Sequence, residues 1–330
     1  MANIPLEYTG KKHPPNGGEW NEKLQRKLYA YEPDDGLKEA VNLAIQLNRP
    51  LLLEGEPGCG KSELARAVFY EFSKRYTKYE WEYRLWNVQS TSKAQDGFYT
   101  YDYVGRLQAA QLAAAKIAGE KSDPAQPKDY LELGALGYAF DRDFLNKEEV
   151  VESEKKGKKK PYRTIVLIDE IDKADTDFPN DLLLALEDQR FEIKDLRPPC
   201  WLTANPDAPP IVFITSNQEK ELPNAFLRRC LYHYIEFPNQ ERLERIIKSR
   251  FEKPPKDLVD QAIERFLELR STMEDEKEDT AKKVSTSELI DWFTVLNSYP
   301  PRQVLQKLKD ERYPFASTLL KTRQDKSEYS

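Results

Sequence analysis

The most constraining feature of this chain is an octapeptide, GEPGCGKS at positions 55–62. It satisfies the pattern G-x-x-x-x-G-K-[ST] at every fixed position. The apolar run Pro50–Glu54 precedes it, as suits a buried parallel strand. After Lys61 the apolar residues Leu64, Val68 and Phe72 recur every fourth position, the period of a helix with one buried face. A strand, a glycine-rich turn and a helix in that order is the context in which such a loop cradles phosphate. Gly55, Gly58 and Gly60 let the backbone turn tightly and approach an anion where a Cβ would clash. The loop N–H groups and the start of the helix direct partial positive charge at the same point. Lys61 is then expected to reach the β- and γ-phosphates of a nucleotide, and the Ser62 hydroxyl to ligate Mg2+. The whole stretch is the candidate nucleotide cradle, including Glu56, Pro57, Cys59 and Glu63 beside the residues just named.

A second signal lies in the apolar strand TIVLIDE, which ends on Asp169 and Glu170. The carboxyl ends of parallel strands are where ligands gather. Asp169 there can hold magnesium through its water shell, and Glu170 can accept a proton from an attacking water. A pair of surface acids closing a strand is the alternative for either residue taken alone. A third strand, IVFITS at 211–216, runs into Asn217. Its amide can orient a lytic water or can simply close a turn.

The remaining pattern sets the architecture. A helix is expected over Leu37–Leu47, strands over 79–88, 163–169, 211–216 and 232–237, and helices over 102–118 and 179–187. Strands alternating with helices predict an α/β core, a parallel sheet with helices on both faces. After Pro238 only amphipathic helices follow, at 239–251, 257–270, 286–297 and 301–310. The expected layout is a mobile arm over residues 1–20, an α/β nucleotide-binding domain over 21–238 and a smaller all-helical domain over 239–330. Residues 119–162 interrupt the rhythm, and with EKKGKKKP at 154–161 beside several glutamates they are expected to form a solvated, mobile insertion.

These signals, in this order, resemble the AAA+ ATPases, and among them the MoxR group, from about Leu28 to Trp292. In that likeness GEPGCGKS is the Walker A motif, IVLIDEID (165–172) the Walker B motif, and Asn217 stands at the sensor 1 position. The segment LPNAFLRRCLYHYIEFP (222–238) is similar to the one that carries the family's arginine finger, which implies Arg229, with Arg228 beside it. STSKAQDGFYTYD (90–102), DKADTDFPNDLLLALED (172–188) and STSELIDW (285–292) add to the resemblance. It implies ATP and Mg2+ as ligands and a hexameric ring, in which one subunit's Arg229 would meet its neighbour's γ-phosphate. It also implies work on a client protein, with a von Willebrand factor A domain protein as a partner. Tyr29, Ala30 and Tyr31 fall where the family places base contacts; packing of the core is the other reading for these aromatics. In one respect the chain departs from the family. Glu288, in STSEL, stands where many members have a sensor 2 arginine, and Ser285 with Glu288 fits a capping box instead. Arg302 is one substitute cation.

Phe98, Tyr99, Tyr101 and Tyr103 could either grip a polypeptide in a ring pore or pack a core. DQRFEIKDL (188–196) reads as a projecting hairpin. A formal charge of −6 supplies no general attraction to nucleic acid or acidic membrane. No apolar run is long enough to span a bilayer. Three scattered cysteines and two histidines give no disulfide framework or histidine metal site, and a cytoplasmic protein is expected. A nucleic-acid motor or clamp-loader-like switch, recognised by DNA-stimulated hydrolysis, and a nucleotide-gated scaffold with slow turnover are the competing functional readings.

Overall fold

The computed structural model describes residues 5–115, 126–146, 160–276 and 283–329. The chain clusters into two compact units. The first comprises Ala40–Leu52 and Arg75–His233 with residues 5–7; the second comprises Tyr8–Glu39, Leu53–Lys74 and the chain from Tyr234 onward.

A five-stranded parallel sheet with flanking helices forms the α/β core. Its strands are β3 (Leu51–Gly55), β4 (Glu80–Asn87), β7 (Tyr162–Asp169), β10 (Ile211–Thr215) and β11 (Leu231–Ile235), in the spatial order β11-β3-β10-β7-β4. The central register is set by Ile165 opposite Ile211 on one side of β7 and by Asn87 opposite Asp169 on the other. Residues 165–168 are fully buried on both faces of β7, which explains a continuous apolar run where a one-sided strand would alternate. Val166 and Ile168 point into a core that also takes Phe98, Phe140, Phe178, Leu182, Ile214 and Phe226.

Around that sheet the first unit carries α1 (Asp35–Leu47, shared at its start with the second unit), α3 (Tyr103–Ala115), α4 (Ala135–Asp141), α5 (Phe178–Asp188) and the turn α6 (Asn224–Leu227). Two small antiparallel pairs complete it. β5 (Tyr99–Tyr101) pairs with β6 (Leu131–Leu133), and β8 (Arg190–Ile193) with β9 (Cys200–Thr203); of the hairpin expected at 188–196 that range holds only the first strand, and the second lies beyond it.

The described part of the 119–162 segment is not a solvated insertion. Leu131, Leu136, Ala139, Phe140 and Phe144 are all buried in the main core. Gly137 lies so close to the Phe98 carbonyl that a Cβ would be 1.8 Å from its oxygen. The charged composition of the flanks hides a short amphipathic stretch whose partners lie 30 or more positions away. The lysine run lies, but for its last two residues, outside the described residues. The aromatic cluster divides: Phe98, Tyr99 and Tyr101 are core residues, with Phe98 stacked on Phe191 at 4.1 Å, while Tyr103 is exposed.

In the second unit, α2 (Lys61–Arg75) follows the glycine loop, its last residue counted with the first unit. Four principal helices follow the sheet: α7 (Gln240–Arg250), α8 (Lys256–Glu276), α9 (Thr286–Leu296) and α10 (Pro301–Asp310), with α11 (Arg323–Tyr329) last. They enclose a core of their own around Phe266, Trp292 and Phe293. From Tyr8 onward the residues expected to form a mobile arm belong to this unit and are packed. Tyr8 is buried, the Thr9 amide and hydroxyl both donate to Glu71 Oε1 at 2.9 Å, and the Gly17 amide donates to the Ser249 carbonyl. β1 (Glu19–Asn21) and β2 (Arg26–Leu28) pair as a hairpin. Proline and glycine there shape turns and do not signal disorder, because a buried carboxylate, Glu71, needs donors that this segment supplies. Among the described residues no helix is long and apolar enough to cross a membrane.

Candidate functional site

Two clusters of candidate functional side chains emerge, one in each unit. The first is the glycine loop. β3 ends at Gly55, and α2 begins at Lys61. Gly55, Gly58 and Gly60 have φ of +148°, +80° and +95°, a region that disfavours any residue with a Cβ. Space enforces the same choice. A Cβ on Gly55 would lie 2.8 Å from the Ile235 carbonyl oxygen, and one on Gly58 2.1 Å from Ser287 Oγ and 2.3 Å from Ser285 Oγ. Lys61 is buried, and its ammonium donates to the carbonyls of Gly55 at 2.7 Å and Glu56 at 3.1 Å, with Cys59 Sγ 3.9 Å away. Burial pushes the Cys59 thiol up, an effect that Lys61 partly opposes. Ser62 and Glu63 follow in the first turn of α2, where Glu63 pairs with Arg66 and Arg26.

The aromatics ahead of the loop part company. The Tyr31 ring lies against Gly60, 3.2 Å from where a Cβ would stand. Its hydroxyl is enclosed with no hydrogen-bond partner among the described residues, and burial raises its pKa well above the usual value. Tyr29 packs against Gly18 and beneath the Arg250 guanidinium at 3.7 Å, away from this contact. Glu288 is committed as a cap: its carboxylate accepts from the Ser285 amide at 3.0 Å and from the Ser285 hydroxyl. Arg302 is exposed on α10.

The second cluster sits at the carboxyl ends of β7 and β10. Thr215 organises it. Its hydroxyl donates to Asp169 Oδ1 at 2.6 Å and accepts the Glu170 amide at 2.8 Å. Glu170 adopts a left-handed backbone (φ 60°, ψ 52°), which turns the chain sharply after the strand. Asn217 Nδ2 donates to Glu170 Oε1 at 3.2 Å, and Lys173 Nζ to Glu170 Oε2 at 2.5 Å. That bond raises the Lys173 pKa. Buried Asp172 accepts the amides of Asn217 and Glu219, fixing the turn that presents Asn217. Asp169, Glu170 and Asn217 are thus gathered in one place.

Arg228 and Arg229 lie exposed at the end of α6. Arg229 Nε pairs with Glu187 Oε2 at 2.8 Å, the surface ion pair that is the alternative to a finger. Three residues that hold these side chains in place escape the sequence reading: Thr215, Lys173 and Asp172. Thr215 leaves a signal, a hydroxyl at the tip of an otherwise apolar strand beside another. Lys173 and Asp172 stand within three residues of Glu170.

Three solved structures similar to this chain stand at low identity. The Trip13 complex with HORMA and CdnC from E. coli MS115-1 shares 16% identity over 82% of this chain and 77% of its own, with a TM-score of 0.40. A point mutant of RuvB from Thermotoga maritima shares 15% over 81% and 72%, with a TM-score of 0.39. PCH-2 of C. elegans shares 16% over 80% and 60%, with a TM-score of 0.38. No curated protein matches the chain by sequence. The family model for the AAA domain, dynein-related subfamily, matches residues 50–230, a span that begins at β3 and ends just before β11. The chain therefore belongs to the AAA domain family, dynein-related subfamily, whose members are nucleotide-binding ATPases.

Proposed function

We propose that this chain hydrolyses ATP with Mg2+, and that it couples the reaction to remodelling, assembling or activating a client protein as a MoxR-like member of its family. The observation that carries the catalytic part is the cluster at the ends of β7 and β10. There Asp169, Glu170 and Asn217 are held by Thr215 and by each other at hydrogen-bond distances. A chain that needed only a folded sheet would have no use for a strained left-handed glutamate at this edge.

The loop residues fit a nucleotide. Three positive-φ glycines leave a cradle without side chains, and Lys61 lies within it. Ser62 and Asp169 would hold magnesium, which supplies charge neutralisation at the β- and γ-phosphates when bound. Glu170 accepts a proton from the attacking water, whose oxygen bonds the γ-phosphorus as the bond to the β–γ bridging oxygen breaks. Asn217 orients that water and the Glu170 carboxylate together. Lys61 carries the only side-chain cation of the loop. Tyr31 supplies a ring and an enclosed hydroxyl beside Gly60, which supports it as a contact of the bound nucleotide.

The wider reading rests on the family resemblance. In a hexameric ring Arg229 exchanges Glu187 for the γ-phosphate of the neighbouring subunit, which requires only that an exposed ion pair open. The client is a protein, with a von Willebrand factor A domain protein as partner, and the setting is cytoplasmic. Steady-state ATPase activity against protein concentration tests the proposal, with light scattering in parallel. Specific activity should rise as a multi-subunit species forms, vanish in Glu170→Gln with nucleotide binding retained, and vanish with binding in Lys61→Ala. Equal activity in wild type and Glu170→Gln refutes the assignment of the base. Stimulation by DNA moves the chain to the nucleic-acid motors.

A further inference from the structure

Arg270, on α8, is one of the most enclosed charges described, only 5% exposed. Each of its nitrogens is engaged. Nη2 lies 2.9 Å from both carboxylate oxygens of Glu56, Nη1 donates to the Val284 carbonyl at 2.7 Å, and Nε is 3.0 Å from Glu274 Oε1. The guanidinium also stacks on Phe237 at 3.6 Å. A buried guanidinium needs such partners, since an unpaired charge in that position is heavily penalised.

The identity of the partners separates this from an ordinary ion pair. Glu56 is the second residue of the glycine loop, and its own carbonyl accepts from Lys61. Val284 immediately precedes Ser285, the N-cap of α9. The hydroxyls of Ser285 and Ser287 occupy the space that a side chain on Gly58 would need. The loop therefore meets the start of α9 twice, once directly at Gly58 and once through Glu56, Arg270 and the Val284 carbonyl. At that start Glu288, spent on its cap, offers no cation.

We infer that Arg270 is the positioning residue that couples the nucleotide loop to α8 and α9, acting through Glu56 and not on phosphate itself. It rests on the reading that 55–62 binds nucleotide. Arg270 fixes the loop backbone at Glu56, where Lys61 is anchored, and any shift of that backbone on binding is passed to the N-terminus of α9. Glu288 at the start of α9 supplies no cation to the loop, and the link comes instead from Arg270 on α8.

The test is a double-mutant cycle on the full chain, with Kd for N-methylanthraniloyl-ADP and the thermal midpoint measured together. Glu56→Gln and Arg270→Gln are each expected to raise Kd about tenfold, and the double variant no further, because both remove the same link. Arg270→Lys should recover part of the affinity, since an ammonium can meet Glu56 but lacks the fork that spans to Val284. Kd values within twofold of wild type, with only the thermal midpoint lowered, would make Arg270 a structural ion pair and overturn the inference. So would multiplying effects in the double variant. If Arg270→Gln does not fold, Glu56→Gln decides alone, because its side chain is 36% exposed and its loss leaves no cavity. Wild-type protein that fails to bind the probe overturns the nucleotide reading together with this inference, an outcome distinct from binding that the variants leave unchanged.

Discussion

Replacing Thr215 by valine removes one hydroxyl and preserves the shape of a β-branched residue in a buried strand, where Thr215 is 1% exposed. Two hydrogen bonds go with it. The bond to Asp169 Oδ1 at 2.6 Å is charge-assisted and contributes about 1.5–3 kcal/mol, and the Glu170 amide, which donates at 2.8 Å, is left without that acceptor for about 1 kcal/mol. The sum is about 2.5–4 kcal/mol of stability. The effect on catalysis is separate. Glu170 holds a left-handed backbone that its amide bond to Thr215 helps to fix, so its carboxylate loses its aim while the glycine loop is untouched. Thr215→Val should therefore lower kcat by about tenfold to a thousandfold, the range for a misplaced catalytic group, and leave the Kd for nucleotide nearly unchanged. Thr215→Ser is the reference, keeping the hydroxyl and losing a methyl group for about 1 kcal/mol. Urea unfolding and steady-state ATPase assays measure both quantities. A valine variant as stable and as active as the serine variant would refute the role given to Thr215.

Other outcomes follow from the same contacts. Gly58→Ala forces a Cβ into a positive φ and against Ser285 and Ser287, at about 1–3 kcal/mol for the backbone and more for the displaced cap; it should abolish nucleotide binding, and Ser287→Ala should restore part of the stability. Arg229→Ala should reduce hydrolysis and leave binding intact, and mixing it with Glu170→Gln protein should regain activity if the arginine acts in a neighbouring subunit; no regain removes that reading. Burial pushes the Cys230 thiol up to about 12 from 9.0. The folded state thus binds this proton more tightly than the unfolded chain, so its contribution is intact below about pH 9 and is lost as pH rises toward 12. Cys230→Ala should flatten the decline of stability between those values, and an unchanged slope would show that other groups set it.

The carboxylate Glu170 shows how local and distant information divide. Its position is legible because an apolar run followed by two acids is a local pattern, readable from a strand's need to be buried on both faces. What holds it is not legible. Thr215 and Asn217 come from β10 and the turn after it, more than 40 positions away, and their relation to Glu170 exists only once β10 lies beside β7. The segment at Tyr8–Thr9 reads as a mobile arm for the same reason, since Glu71 lies 62 positions from Thr9. Composition describes a segment's own preferences and not the donors that a distant buried group requires. The stretch 126–146 carries too few apolar residues in a row to declare itself, yet Leu136 and Phe140 are fully enclosed because the Phe98 backbone approaches Gly137.

By itself the sequence determined the order of strand, glycine loop and helix, the acidic end of β7, the parallel α/β core and the helical composition beyond residue 238. These follow from short-range periodicity and from the few residue types that tolerate a positive φ or a phosphate. Tertiary structure alone decided which hydroxyl aims the acids, and that a buried arginine 214 positions from Glu56 grips the loop. The physical reason is that a hydrogen bond between side chains depends on ångström-scale placement, which the packing of whole elements sets and which no window of neighbouring residues records.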